Sequence, residues 1–351
     1  MDDDRRAFLD DLLDAPAPSG YETPAQRVWL DYVSAFADAV HTDAYGNAVA
    51  VAEGGDATFA VGGHVDQIGL VVTAVTDDGF LRVAPVGGTD RSVTKGQHVT
   101  VHAAGGAVPG VVGQTAIHLR DAEDDEYEDV EEQFVDVGAA DEDAARDLVT
   151  VGDPVTVAGH VRDLDGTRVA APAMDNRVGV WTAAEALRRA VESDADATVC
   201  AVSTVQEEVG LRGATMVGYD LDPDAVVAVD VTHAADNPAY PSGKHAEVEL
   251  GEGPVVARGA TNHPALVDAA SAAADEADLD VQTRATGTRT ATDTDGFAVE
   301  RGGTPALALG VPNRYMHTPV EVVDTRDLDA AADLAAAMAA GAADRTFAVD
   351  L

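Results

Sequence analysis

Five places in the chain set a residue able to bind a cation or move a proton where an apolar, strand-like run gives out. Residues 58–61 lead into Gly62-Gly63-His64-Val65-Asp66, residues 198–205 into Gln206-Glu207-Glu208, and residues 225–229 into Asp230-Val231-Thr232. Residues 305–311 lead into Pro312-Asn313-Arg314-Tyr315-Met316-His317, and Asp175 stands in Ala173-Met174-Asp175-Asn176-Arg177, where a helix is expected to begin near Val178. In open α/β sheets ligands collect outside the carboxyl ends of the strands, so these residues are expected to meet. Imidazoles and carboxylates gathered at one sheet edge, with no thiolate among them, suit a divalent ion of the zinc, cobalt or manganese kind.

Singly each signal is weak, because a strand-end His or Asp is commonly a hydrogen-bonded structural residue and Asp175 alone would serve as a helix cap. Five coincidences in one chain carry more weight. The pair Glu207-Glu208 is the sharpest, since adjacent like charges repel unless a cation compensates one of them; the ordinary alternative is a solvated turn in an acidic protein. Competing motifs fail. The stretch Asp293-Thr294-Asp295-Gly296 resembles a calcium loop, but Ala291 and Gly302 occupy its first and twelfth ligand positions. There is no phosphate-binding Gly-rich loop followed by Lys-Ser/Thr and no Gly-x-Ser-x-Gly elbow. His98, His102, His118, His160 and His233 read as strand or surface residues.

The elements that must position the five sites follow from hydrophobic period. A period near 3.6 over residues 6–13 and 25–40 predicts two helices, followed by buried strands at 47–51 and 58–65. From 71 to 165 the texture changes to short, glycine-punctuated strands at 71–76, 80–85, 98–102, 108–114 and 154–161, expected to form a small barrel or sandwich. After Val169 the first texture returns, with strands at 198–205, 225–231 and 305–311 and helices near 178–192, 264–277 and 325–343. The expected fold is therefore α/β: an α/β/α catalytic domain with a mixed central sheet, made of residues 1–70 and 166–351, interrupted by a β-barrel-like insert domain at 71–165. Within the insert, nine acids between Asp121 and Glu132 are expected to form a solvated loop rather than a packed element.

A length of 351 residues accommodates two domains at about 150 residues each. The 22 basic residues against 63 acidic ones give a net charge of −41, which speaks against nucleic acid and anionic membrane as partners. The acids are 45 Asp and 18 Glu, and the bases are 20 Arg and only two Lys, Lys95 and Lys244. This balance suggests adaptation to high salt, where the Debye length falls to about 3 Å and self-repulsion is screened. A single cysteine, Cys200, excludes an intrachain disulfide and reads as a buried, inert thiol in a reducing compartment. The N-terminus lacks an apolar signal core, and the longest small-apolar stretch, 334–343, is too short to span a bilayer, so a soluble, cytoplasmic protein is expected.

In family order and with family-like spacing, the motifs Gly63-His64-Val65-Asp66-Gln67-Ile68-Gly69, Met174-Asp175-Asn176-Arg177-Val178-Gly179, Gln206-Glu207-Glu208-Val209-Gly210-Leu211-Arg212-Gly213-Ala214, Asp230-Val231-Thr232 and Arg314-Tyr315-Met316-His317-Thr318-Pro319-Val320-Glu321 resemble the TET-type, or glutamyl, metallo-aminopeptidases, some of which were formerly labelled endoglucanases. Echoes at Pro18-Ser19-Gly20-Tyr21-Glu22 and Asp43-Ala44-Tyr45-Gly46-Asn47 extend the match over nearly the whole chain. The resemblance implies two divalent metal ions, zinc first with cobalt or manganese as alternatives. His64 and Asp230 would hold one, Glu208 and His317 the other, and Asp175 would bridge them. Asp66 would orient His64, and Glu207 would be the general base. It further implies hydrolysis of N-terminal residues from peptide substrates and a homo-oligomer of dimers, often a dodecamer, assembled through the insert. The alternatives are a glycan hydrolase using Glu207 and Glu208 as its acid pair and a metal-binding assembly protein without turnover.

Overall fold

Strands buried on both faces must be apolar along their whole length, and three segments meet that demand: Ala197–Thr204, Ala225–His233 and Ala306–Asn313. In the computed structural model, which describes residues 1–120, 127–193, 195–241 and 247–349, these three lie beside Gly55–His64 as four adjacent parallel strands. The full sheet has eight strands in the order Ala39–Thr42, Ala48–Ala52, Ala197–Thr204, Gly55–His64, Ala225–His233, Ala306–Asn313, Val255–Gly259, Gln282–Thr286. Antiparallel pairings flank the parallel centre, so the sheet is mixed.

One face carries the larger core, with helices Asp3–Asp14, Thr23–Val33, Met174–Glu192, Pro264–Glu276 and Thr325–Ala340 contributing buried side chains such as Trp29, Trp181, Leu187, Leu266 and Leu334. The other face packs Val226, Ala228 and Cys200 against Ala214, Val217 and Phe297 of the helices Arg212–Leu221 and Asp293–Phe297. Helix Met174–Glu192 reaches the sheet where glycine meets glycine: a Cβ on Gly63 would lie 2.6 Å from the carbonyl carbon of Gly179. That contact seats the start of the helix next to His64.

The glycine-punctuated region closes into a six-stranded barrel in the order Gly69–Val75, Leu81–Val86, Phe134–Asp136, Gly106–Val112, His98–Ala103, Pro154–Val157. Its inward residues, among them Leu70, Val83, Val101, Val135 and Val155, form a separate small core. Three expectations need correction. The helix predicted over 25–40 ends at Val33, because residues 39–42 pair with Ala48–Ala52 as an edge strand. The barrel is completed by Phe134–Asp136, a strand too short to leave a periodic signal. The acidic run is not wholly a solvated loop: residues 121–126 lie outside the described residues, but Val130 is buried in the barrel core and Val130–Glu132 form a 3₁₀ turn. Ion pairs from Lys95 to Glu128 and from Arg91 to Asp129 offset part of its charge. Among the described residues no helix is long and apolar enough to cross a membrane.

Candidate active site

Parallel register brings the strand ends level, with His64 opposite Thr204 and the Val65 N–H donating to the Thr204 carbonyl. All seven residues singled out from sequence meet at this edge. His64 Nε2 lies 3.2 Å from Asp175 Oδ1, 3.7 Å from Glu207 Oε2 and 3.8 Å from Asp230 Oδ1. Its other nitrogen, Nδ1, faces the Asp66 carbonyl at 3.2 Å, so that with a cation bound at Nε2 the ring's remaining proton would sit on Nδ1 and be donated to that carbonyl. His317 Nε2 lies 3.2 Å from Asp175 Oδ2 and 3.5 Å from Glu208 Oε1. Two groups of potential ligands result, His64 with Glu207 and Asp230, and Asp175 with Glu208 and His317, each with its ligand atoms within 4.8 Å of one another.

Backbone donors fix these side chains. Asp66 accepts from the N–H of Glu207 at 3.0 Å, the N–H of Glu208 at 3.2 Å and the Ser19 hydroxyl at 2.6 Å. Glu321 lies on a strand, Glu321–Asp324, that pairs with Arg168–Ala171. From there its carboxylate accepts the N–H of Asp175 at 3.0 Å and that of His317 at 2.7 Å, holding residues 142 positions apart in one clamp. Asp175 and Asn176 have non-helical φ/ψ, so the helix expected near 178 is preceded by two residues shaped for the site. The Asn176 amide donates to the Val229 carbonyl at 2.8 Å and ties that turn to the strand of Asp230.

The electrostatics are those of a site short of positive charge. Burial pushes Glu207 up to about 10, against the pull of His64 and with the help of Asp230, Asp293 and Glu208. Glu208 and Asp230 are likewise raised, by burial first. Burial would lower His64, but Glu207, Asp175, Asp230 and Asp66 hold its pKa well above the usual histidine range. The nearby carboxylates of Asp175, at 3.2 Å, and Glu208, at 3.5 Å, raise His317 to about 11. Glu208 Oε1 is buried without a hydrogen-bond partner. Orphaned oxygen and surplus carboxylate both fit divalent cations, and the imidazole and carboxylate donors fit zinc, cobalt or manganese.

Several residues of the site were not singled out. Glu321 was legible only as the last letter of a motif. Asp293, set aside as part of a failed calcium loop, is buried at the same edge, accepts from Thr204 Oγ at 2.5 Å and is raised to about 7 by burial, against His64, with Asp230 and Asp66 adding. Arg177 is fully buried and spans the Leu12 and Ala15 carbonyls and the Gln67 side chain, bracing the segment that follows Asp66.

A sheet edge that gathers two imidazoles and several carboxylates, beside a carboxyl able to move a proton, is the site of a metal-dependent hydrolase. The chain belongs to the M42 glutamyl aminopeptidase family, whose model matches residues 46–334. It is 34% identical to the lysyl aminopeptidase of Pyrococcus furiosus over 332 residues, covering 93% of this chain and 94% of that protein. An aminopeptidase of the archaeon Desulfurococcus kamchatkensis shares the fold with a TM-score of 0.88 at 32% identity, covering 97% of this chain and 95% of the other. The TET1 peptidase of Pyrococcus horikoshii, described as assembling into a tetrahedron or a large octahedral shell, gives 0.85 at 31% identity, with 95% and 99% covered. The protein is a peptide hydrolase of the aminopeptidase kind.

Proposed function

We propose that this chain removes N-terminal residues from peptides at a pair of divalent ions, zinc foremost with cobalt or manganese as alternatives. The observation that carries the reading is Asp175, whose two oxygens each lie 3.2 Å from the Nε2 of a different imidazole, His64 and His317. In this reading His64 and Asp230 hold one ion, Glu208 and His317 the other, and Asp175 lies between them. Ions bound there would polarise the scissile carbonyl and make water a nucleophile near neutral pH. Glu207 takes the proton from water and returns it to the departing amine. Neighbouring positive charge would bring its pKa down from the raised value that burial imposes. Asp66 holds the imidazole of His64 and the backbone of Glu207 in one orientation.

The same reading makes the barrel, taken as an insert domain over 71–165, the surface through which dimers build a dodecamer, as in relatives that form closed shells. It places the protein in the cytoplasm of a cell rich in salt, supported by the acid-to-base balance and a lone, buried thiol. The rival glycan hydrolase needs carboxyls about 5–10 Å apart on opposite faces of a glycosidic bond. Glu207 and Glu208 instead leave one strand end with their backbones tied to a single acceptor.

Paired variants test the roles. Glu207→Gln keeps a hydrogen bond but cannot take a proton, so turnover of aminoacyl anilides should fall by about 10²–10⁴-fold with metal content unchanged. Glu208→Gln should lower metal content, because an amide is a poorer ligand than a carboxylate. The opposite pattern would reverse the assignment, and full activity in both variants, or hydrolysis of cellulose by the wild type, would end it.

A further inference from the structure

Tyr315 and His317 have φ of +64° and +61°, left-handed backbone in which a residue other than glycine is strained. Such a conformation persists only when its surroundings hold it. Arg314 and Val322 exchange both backbone hydrogen bonds, each at 3.0 Å, and so close residues 315–321 into a loop. Within that loop Glu321 Oε1 accepts the N–H of His317 at 2.7 Å. Its other oxygen, Oε2, accepts the N–H of Asp175 at 3.0 Å. Asp175 comes to it from the opposite side, because Ala171 pairs directly with Glu321 and the chain runs on from there into Asp175. Glu321 is itself buried and belongs to neither group of potential ligands. Both backbones that it holds carry ligands of one group, Asp175 with Glu208 and His317.

We propose that Glu321 is a positioning residue that sets the affinity of the ion held by Glu208 and His317, and leaves the ion at His64 and Asp230 nearly untouched. The inference rests on the two-ion reading above. A carboxylate suits the task because it offers an acceptor to each N–H and strengthens both bonds with its charge. An amide has one oxygen, so it satisfies one N–H and turns a donor toward the other, which is then buried and unpaired. The loss falls on the His317 side because the two ends of the clamp differ in their other supports. Asp175 keeps a second anchor through Asn176, whose amide donates to the Val229 carbonyl and accepts the N–H of Gly179 at 2.9 Å. His317 rides on the loop itself, and without its acceptor the left-handed backbone relaxes and carries the imidazole away from Glu208. His64 is held independently, through Asp66.

The test counts ions rather than turnover. Full-length protein is dialysed against graded free Zn²⁺, and bound zinc per chain is measured by elemental analysis. The wild type should take up two ions. In Glu321→Gln one ion should bind as in the wild type and the other about 10–100-fold more weakly, the size expected when a ligand loses its supporting group. Glu321→Asp, which keeps both acceptors on a shorter stem, should recover part of that loss, and it carries the comparison if the Gln variant does not fold. His317→Ala identifies the weakened ion: adding Glu321→Gln to it should change the remaining ion's affinity by no more than about twofold. Equal weakening of both ions in Glu321→Gln would show that Glu321 supports the whole sheet edge, and wild-type binding of both would show that it supports neither; each overturns the proposal while the two-ion reading stands. A wild type that binds fewer than two ions would remove that reading and the proposal with it.

Discussion

The carboxylate of Asp66 accepts the backbone N–H of Glu207 at 3.0 Å, so the residue that faces His64 also sets where the proposed base stands. A single acid thereby couples two strand ends that are 141 residues apart in sequence. Asp66→Asn would replace one acceptor oxygen with an amide and leave a buried donor opposed to it. Metal affinity measured by calorimetry should fall by about 10–100-fold, as expected for loss of a ligand's supporting carboxylate. Turnover at saturating metal should fall as well, because Glu207 loses its anchor. Unchanged metal binding would show that Asp66 does not hold His64.

Cys200 reports on the fold without touching the site. Burial pushes its thiol up to about 12. The folded-state pKa lies above the unfolded one, so the stability this group contributes is fully present below about pH 9 and is lost as pH rises through about 12. At pH 8 a disulfide reagent should modify the native protein about a thousandfold more slowly than the unfolded chain. Rapid labelling under native conditions would place the thiol at the surface.

Salt should govern assembly if the acidic surface is adapted to it. With 41 excess negative charges per chain, copies repel across any interface, and the repulsion reaches about 30 Å at 0.01 M salt but about 3 Å at 1 M. Sedimentation should show large assemblies at molar salt and dissociation toward smaller species on dilution into low salt. Equal assembly in both would remove the electrostatic argument.

What was legible in the sequence follows from where partners lie. His64, Glu207, Asp230 and His317 could be placed together because apolar strands of a parallel sheet must end at a common edge, and each chemical residue lies within a few residues of the end of such a run. Glu321 and Asp293 were not legible, since Glu321 serves through backbone groups of Asp175 and His317, and Asp293 through its burial beside Thr204. Neither relation leaves a periodic mark. The strand Gln282–Thr286 was missed for a similar reason: its side chains are mostly exposed, and Gln, Thr and Arg carry no alternating apolar signal. Residues 39 and 40 read as the end of a helix because local period favoured it, while long-range pairing of 39–42 with Ala48–Ala52 decides the outcome.

The barrel also touches the chemistry, which gives a test that does not alter any ligand. Gly88 follows the barrel strand Leu81–Val86, and a Cβ built there would stand 2.5 Å from His317 Nδ1 and 2.6 Å from its Cε1. Gly88 has no left-handed backbone requirement, so alanine introduces contact rather than strain. The imidazole must give way, and its Nε2 moves from the 3.2 Å and 3.5 Å approaches it makes to Asp175 and Glu208. Overpacking of this kind costs about 1–3 kcal/mol, so Gly88→Ala should weaken metal binding at the His317 side about tenfold and lower turnover with it. Gly105→Ala, on the same barrel with no atom within 4 Å of its Cβ position, is the control and should leave both unchanged. Wild-type metal binding in Gly88→Ala would mean that the barrel loop stands off from His317 in solution, whereas loss in both variants would trace the defect to the barrel's own folding.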